Sequence, residues 1–147
     1  MAVELRRPRI GGGVPLMAEV DKSEKITINV GLVDLGQIDL LVEEGFYANR
    51  TDFIRTAIRR QIETRSGAVE QTIARRTLEL GAHHFSRHEL EQLRTDGQTI
   101  HVRVLGLVTI ATDVSPELAQ ATIASVEVLG AFRASPKVKA ALASRTV

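Results

Sequence analysis

The sequence predicts an α+β protein, and three observations predict it. Residues 25–30, Lys-Ile-Thr-Ile-Asn-Val, alternate polar and apolar side chains, the period of a strand with one wet face. Residues 34–65 carry two apolar stripes at helical spacing. Residues 100–142 carry two similar strand–loop–helix strings, with Val102, Val104, Leu105 and Gly106 aligning with Val126, Val128, Leu129 and Gly130.

Composition narrows the class. The chain has 147 residues, no cysteine, no tryptophan and a formal net charge of +1. A disulfide framework and a thiolate metal site are excluded. With four Phe and one Tyr, the core must be built from Val, Ile, Leu and Ala. No apolar run reaches transmembrane length and the N-terminus lacks a signal-peptide pattern, so a soluble cytoplasmic protein is expected. Residues 1–66 hold ten Lys/Arg and ten Asp/Glu, so any binding to nucleic acid needs a local basic face rather than bulk charge.

Residues 1–22 read as a flexible basic arm: Arg-Arg-Pro-Arg-Ile-Gly-Gly-Gly-Val-Pro is poor material for a packed element. In Lys25–Val30, Lys25, Thr27 and Asn29 face one way and Ile26, Ile28 and Val30 the other. The next strand pattern begins only at Ile100, and a lone strand leaves both edges unpaired.

Asp34 is placed to cap a first helix, with Gln37 three residues on as in a capping box. Leu35, Ile38, Leu41 and Val42 form its apolar stripe, and Gly45 suits a left-handed end. Asn49 is placed to cap a second helix running to about Arg65, with Phe53, Ile54, Ala57, Ile58 and Ile62 on its apolar face. Arg55, Arg59 and Arg60 fall on the solvated side.

Residues 67–95 read as a helical connector: 68–80 are helix-compatible, and Ser86 with Glu89 forms a second capping box. Asp96-Gly97 signals a turn. Residues 96–147 then form an α/β repeat. Each strand pattern is followed by Ser-Pro, Ser115-Pro116 and Ser135-Pro136, a cap with proline at the first helical position. The period lies in the range of leucine-rich repeats, so a short leucine-rich-like solenoid is expected, packed on the preceding helices or on another chain.

The order strand, helix, short turn, Asn-capped helix over residues 25–62 resembles the ribbon-helix-helix DNA-binding domain, of the type found in CopG-like regulators, with Arc and the methionine repressor as more distant relatives. The residues that carry the likeness are Lys25–Val30, Asp34–Gly45 and Asn49–Glu63. The resemblance implies an intertwined homodimer in which Lys25–Val30 pairs antiparallel with its counterpart in a second chain. It implies that the paired ribbon enters the major groove of double-stranded DNA and that its outward residues, Lys25, Thr27 and Asn29, read base edges. It also implies phosphate binding at the start of the second helix, by Asn49, Arg50 and Thr51.

His84 and His88 are four apart, but Ser86 caps between them, and no metal or cofactor is expected. No nucleophile elbow or phosphate loop is present, so no catalytic residue is assigned and no enzyme is expected. The expected function is a dimeric, sequence-specific transcriptional regulator whose residues 96–147 assemble it further or bind a protein partner. Two other functions fit the same elements: an antitoxin, or a polymer-forming protein that organises DNA.

Overall fold

The computed structural model describes residues 22–147, so all of the expected basic arm except Lys22 lies outside the described residues. The chain divides into two units, one of residues Lys25–Thr72 and one built on Ile73–Val147, to which Ser23 and Glu24 are tied by Arg133.

The first unit holds α1 (Leu32–Glu43) and α2 (Arg50–Thr64), and α3 (Ser66–Arg76) begins within it. The first helix starts before the expected cap. Gly31 is its N-cap, without a side-chain cap bond, and Asp34 sits inside the first turn. There its carboxylate faces the positive end of the helix dipole instead of closing a capping box. At the other end Glu44 is the C-cap and Gly45, with φ +83°, provides the expected left-handed exit. Asn49 caps α2 as expected, its side chain accepting the Asp52 N–H at 2.8 Å. Tyr47 and Phe53 meet edge to face, centroids 5.0 Å apart, and fix the turn between the helices.

The second unit is a parallel sheet in the order β1-β2-β3, with β1 Glu79–Phe85, β2 Ile100–Ile110 and β3 Ile123–Arg133. Three helices alternate with the strands: α4 (Arg87–Thr95), α5 (Pro116–Thr122) and α6 (Pro136–Leu142), followed by a 3-10 turn, Ala143–Arg145. Ser86, Ser115 and Ser135 cap them, the first in a complete capping box with Glu89. The core lies between helices and sheet. Leu90, Leu118, Val138 and Leu142 close over Ile100, Val102, Val104, Val108, Ile123 and Val126, every one at most 3 % exposed. On the strands the other parity carries polar partners: His101 Nδ1 lies 2.7 Å from Ser125 Oγ, and Arg103 faces Glu127, which Arg76 also reaches.

The register pairs Val102 with Val126, Val104 with Val128, Leu105 with Leu129 and Gly106 with Gly130, so the expected repeat is real and its two copies are adjacent strands. The reading of residues 67–95 as purely helical is corrected. The helix ends at Arg76, Thr77 takes φ +54°, and β1 follows as a third copy of the repeat, pairing Leu80 with Leu105 and Gly81 with Gly106. The helical pattern of residues 68–80 loses to tertiary pairing, because Leu78 and Phe85 are buried only if the chain turns out of α3 into the sheet.

Gly106 and Gly130 are required by close approach. Both have positive φ, and a Cβ on Gly106 would lie 2.1 Å from Gly81 O, one on Gly130 2.1 Å from Gly106 O. No side chain fits there.

Candidate nucleic-acid interface

Lys25, Thr27 and Asn29 are exposed, in a stretch that pairs with no strand among the described residues. Residues 25–30 therefore are not a strand in the single chain; a strand exists only with a partner to complete its ladder. The apolar half of the pattern is exposed as well. Ile26 is 71 % and Ile28 61 % exposed, and Leu32, Val33, Leu40, Ile58 and Ile62 are exposed too. Ile38 is the one buried large hydrophobic residue of the Lys25–Thr72 unit. The expected α1 stripe, Leu35, Ile38, Leu41 and Val42, is buried or half-buried, but the chain leaves much other apolar surface of this unit uncovered.

The start of α2 presents backbone donors. The first helical bond is Phe53 N–H to Asn49 O, and Asn49 Oδ1 takes the Asp52 N–H. The Arg50 and Thr51 N–H groups precede both, at positions where a helix has no internal acceptor. Asp52 Oδ2 accepts the Ala48 N–H at 3.0 Å, so the turn into the helix is braced from both sides.

Arg50 is held in an ion pair. Its Nε and one Nη donate to the two carboxylate oxygens of Asp39 on α1 at 2.7 and 2.8 Å. The fork-to-fork hydrogen bonds and the positive charge hold the Asp39 carboxyl below the usual carboxylate range. Sequence reasoning missed Asp39. Its signal was its position on the polar flank of the α1 stripe, next to the buried Ile38.

Charge is segregated between the two helices. Asp34, Asp39 and Glu43 lie on α1 with no cation, whereas α2 carries Arg50, Arg55, Arg59 and Arg60 against Asp52 and Glu63. Arg55, Arg59 and Arg60 are exposed, as expected. The two histidines four apart are split between elements: His84 is on β1, its Nδ1 2.9 Å from Thr109 Oγ1, and His88 is on α4. In the second unit a groove of about 520 Å³ opens near the carboxyl ends of the strands, lined by His84, Thr109, Ala111, Arg133 and Ser135. No helix among the described residues is long and apolar enough to cross a membrane.

Residues 21–139 match the model of the ribbon-helix-helix transcriptional regulator family. The chain belongs to that family. No curated protein and no solved structure matches it. In this ribbon-helix-helix regulator the matched range covers the amphipathic stretch 25–30, α1 and α2, and runs on through the parallel sheet into α6. Membership places the protein among DNA-binding transcriptional regulators.

Proposed function

We propose that the protein is a homodimeric, sequence-specific regulator that reads the major groove with a two-stranded ribbon. The observation that carries this is Lys25–Val30: polar on one side, apolar on the other, and exposed on both. Antiparallel pairing with the same stretch of a second chain satisfies one strand edge of each. It also brings Ile26, Ile28 and Val30 onto the uncovered apolar side chains of α1 and α2. A two-stranded ribbon fits the major groove. Outward on it, Lys25 donates to guanine O6 and N7, Asn29 pairs with adenine N6 and N7, and Thr27 hydrogen-bonds or meets a thymine methyl.

Asn49, Arg50 and Thr51 bind the phosphates that flank the groove. The N–H groups at the start of α2 donate to a phosphate, and the Thr51 hydroxyl adds a donor. Asp39 occupies Nε and one Nη of Arg50, so the remaining Nη is the one that reaches the backbone. Asp39 thereby orients Arg50 and tempers its charge. The C-terminal unit, a short solenoid-like run of strand–helix repeats, assembles dimers on repeated half-sites through effective concentration.

Fluorescence anisotropy tests the reading. The duplexes are the protein's own upstream DNA and a scrambled control, each over a salt series, for wild type and for Thr27→Ala/Asn29→Ala. The expected result is a preference for the upstream duplex that the double variant loses while keeping the salt slope, because base contacts specify and phosphate contacts set the slope. Retention of the preference by the variant refutes ribbon readout.

A further inference from the structure

The glycine row of the sheet is unfinished at one end. At Gly106 and Gly130 the missing side chain makes room for the glycine carbonyl of the strand before it, 2.1 Å from where a Cβ would stand. Gly81 sits in the same row, in register with Gly106, and has the same kind of backbone, φ +137° against +143° and +124°. Yet no described atom lies within 4 Å of its Cβ position. The space that a neighbouring carbonyl fills twice in the sheet is left open a third time, on the outer edge of β1. The matching carbonyl, Gly130 O, belongs to β3, which has no following strand among the described residues.

We infer that the outer edge of β1 takes the outer edge of β3 from a second copy, in parallel, with Gly130 of the copy beside Gly81. Continuing the register β1-β2-β3 pairs Val128–Arg133 of the copy with Glu79–His84. The chain's own C-terminus does not reach that segment, and at its far end the Arg133 side chain holds Ser23 and Glu24. Val147 N–H bonds Val126 O and Thr146 bridges Val126, so the tail covers β3 only up to the residue before Glu127. The two edges are alike in sequence: both carry Leu-Gly-Ala, at 80–82 and 129–131, where the central strand has Leu105-Gly106-Leu107. Their leucines are exposed, Leu80 at 71 % and Leu129 at 44 %, whereas Leu105 between them is partly covered. Stacking a copy gives each edge leucine the neighbour that Leu105 already has. Neither edge stretch contains proline or lysine, residues that commonly guard a bare strand edge.

The contact joins two different edges, so it is heterologous and open, and it extends head to tail until it closes on itself. It builds on the assembly role proposed for the C-terminal unit and names the surfaces that perform it.

Sedimentation velocity on the full-length protein without DNA, over a concentration series, tests this with Leu80→Glu and Leu129→Glu. Wild type is expected to grow with concentration beyond the ribbon dimer, and each variant to stop at that dimer. Mixing the two variants is expected to restore growth, since Leu80→Glu keeps an intact β3 edge and Leu129→Glu an intact β1 edge. Symmetric pairing of like edges would not be rescued by mixing. If wild type grows and the variants grow equally, or if mixing restores nothing while both variants keep the wild-type circular dichroism spectrum, the edge assignment is overturned and the assembly role survives. If wild type never exceeds the ribbon dimer, both fall. Ala82→Lys and Ala131→Lys serve as the second pair should either leucine variant lose its fold.

Discussion

Replacing Gly106 with alanine tests the glycine row most directly, because a neighbouring position supplies the control. Gly81 and Gly106 share nearly the same backbone, φ +137° and +143°, a region that costs a residue with a Cβ about 1–3 kcal/mol. At Gly81 that strain is the whole penalty within one chain, since no described atom stands within 4 Å of the added methyl. At Gly106 the methyl would also sit 2.1 Å from Gly81 O and 3.0 Å from Gly81 C. Both are backbone atoms in a hydrogen-bonded ladder and cannot rotate away. Relief requires β1 to move off β2, giving up two or more ladder bonds at about 1 kcal/mol each. Gly106→Ala should therefore cost at least about 2 kcal/mol more than Gly81→Ala, or roughly 8–16 °C in Tm for a unit of this size. Urea and thermal unfolding followed by circular dichroism, at concentrations too low for assembly, measure both variants. Equal losses at the two positions would refute the reasoning, since the carbonyl contact would then contribute nothing.

Other outcomes follow from single contacts. The Asp39 carboxyl, held low by Arg50, should titrate below the ordinary aspartate range in a carbon-13 NMR titration. Its folded-state pKa is depressed, so whatever the pair adds to stability is present above the unfolded pKa and is lost as pH falls through the lower folded value. A normal or raised midpoint would show that the pair does not form in solution. Asp39→Asn should tighten DNA binding and steepen its salt dependence by releasing Arg50, and unchanged anisotropy curves would remove Arg50 from the phosphate contacts. Asn49→Ala should destabilise the first unit by about 1 kcal/mol through loss of the cap and weaken binding alike on all duplexes; a sequence-dependent loss would instead place Asn49 against bases. Arg145 donates to Ile123 O at 2.8 Å, in a part-buried contact, and also to the exposed Gln120 O, so Arg145→Ala should cost about 1 kcal/mol, read as a lower urea midpoint.

What the sequence disclosed depended on how local each signal was. The caps at Asn49, Ser86, Ser115 and Ser135 were legible because a cap is a contact within four residues. The repeat at Val102–Gly106 and Val126–Gly130 was legible because equal spacing produces adjacent, in-register strands. β1 was not legible by periodicity. Its string Glu-Leu-Gly-Ala-His-His-Phe has no alternation, and the helical pattern of α3 runs into it. The available clue was the Leu-Gly pair at 80–81, recurring at 105–106 and 129–130. At the candidate interface, Lys25, Thr27 and Asn29 are exposed, but so are Ile26, Ile28 and Val30 between them, so the single chain does not separate the two faces that the alternation implies. The Asp39–Arg50 pair was not legible, because it joins residues eleven apart across a helix turn, and nothing in either helix alone brings them together.

The two units solve the problem of unmet surface in opposite ways, and the difference bears on how such a regulator would occupy DNA. In the first unit the unmet surface includes the amphipathic stretch Lys25–Val30, whose complement, on the function proposed above, is the same stretch of a second chain. A self-complementary patch gives a two-fold contact that closes at two chains. In the second unit the unmet surfaces are two non-identical edges, one with an empty space at Gly81 and one, carrying Gly130, with no following strand among the described residues. Non-identical complementary edges give a contact that does not close at two. A chain with one closing contact and one open contact, the latter using both sheet edges, would link dimers into assemblies larger than a tetramer. On DNA each added dimer then gains both its own ribbon contacts and an edge already held nearby, so occupancy should rise more steeply with concentration on tandem half-sites than on one. Leu80→Glu should abolish that steepness while leaving affinity for a single half-site unchanged, which separates the two contacts in one titration.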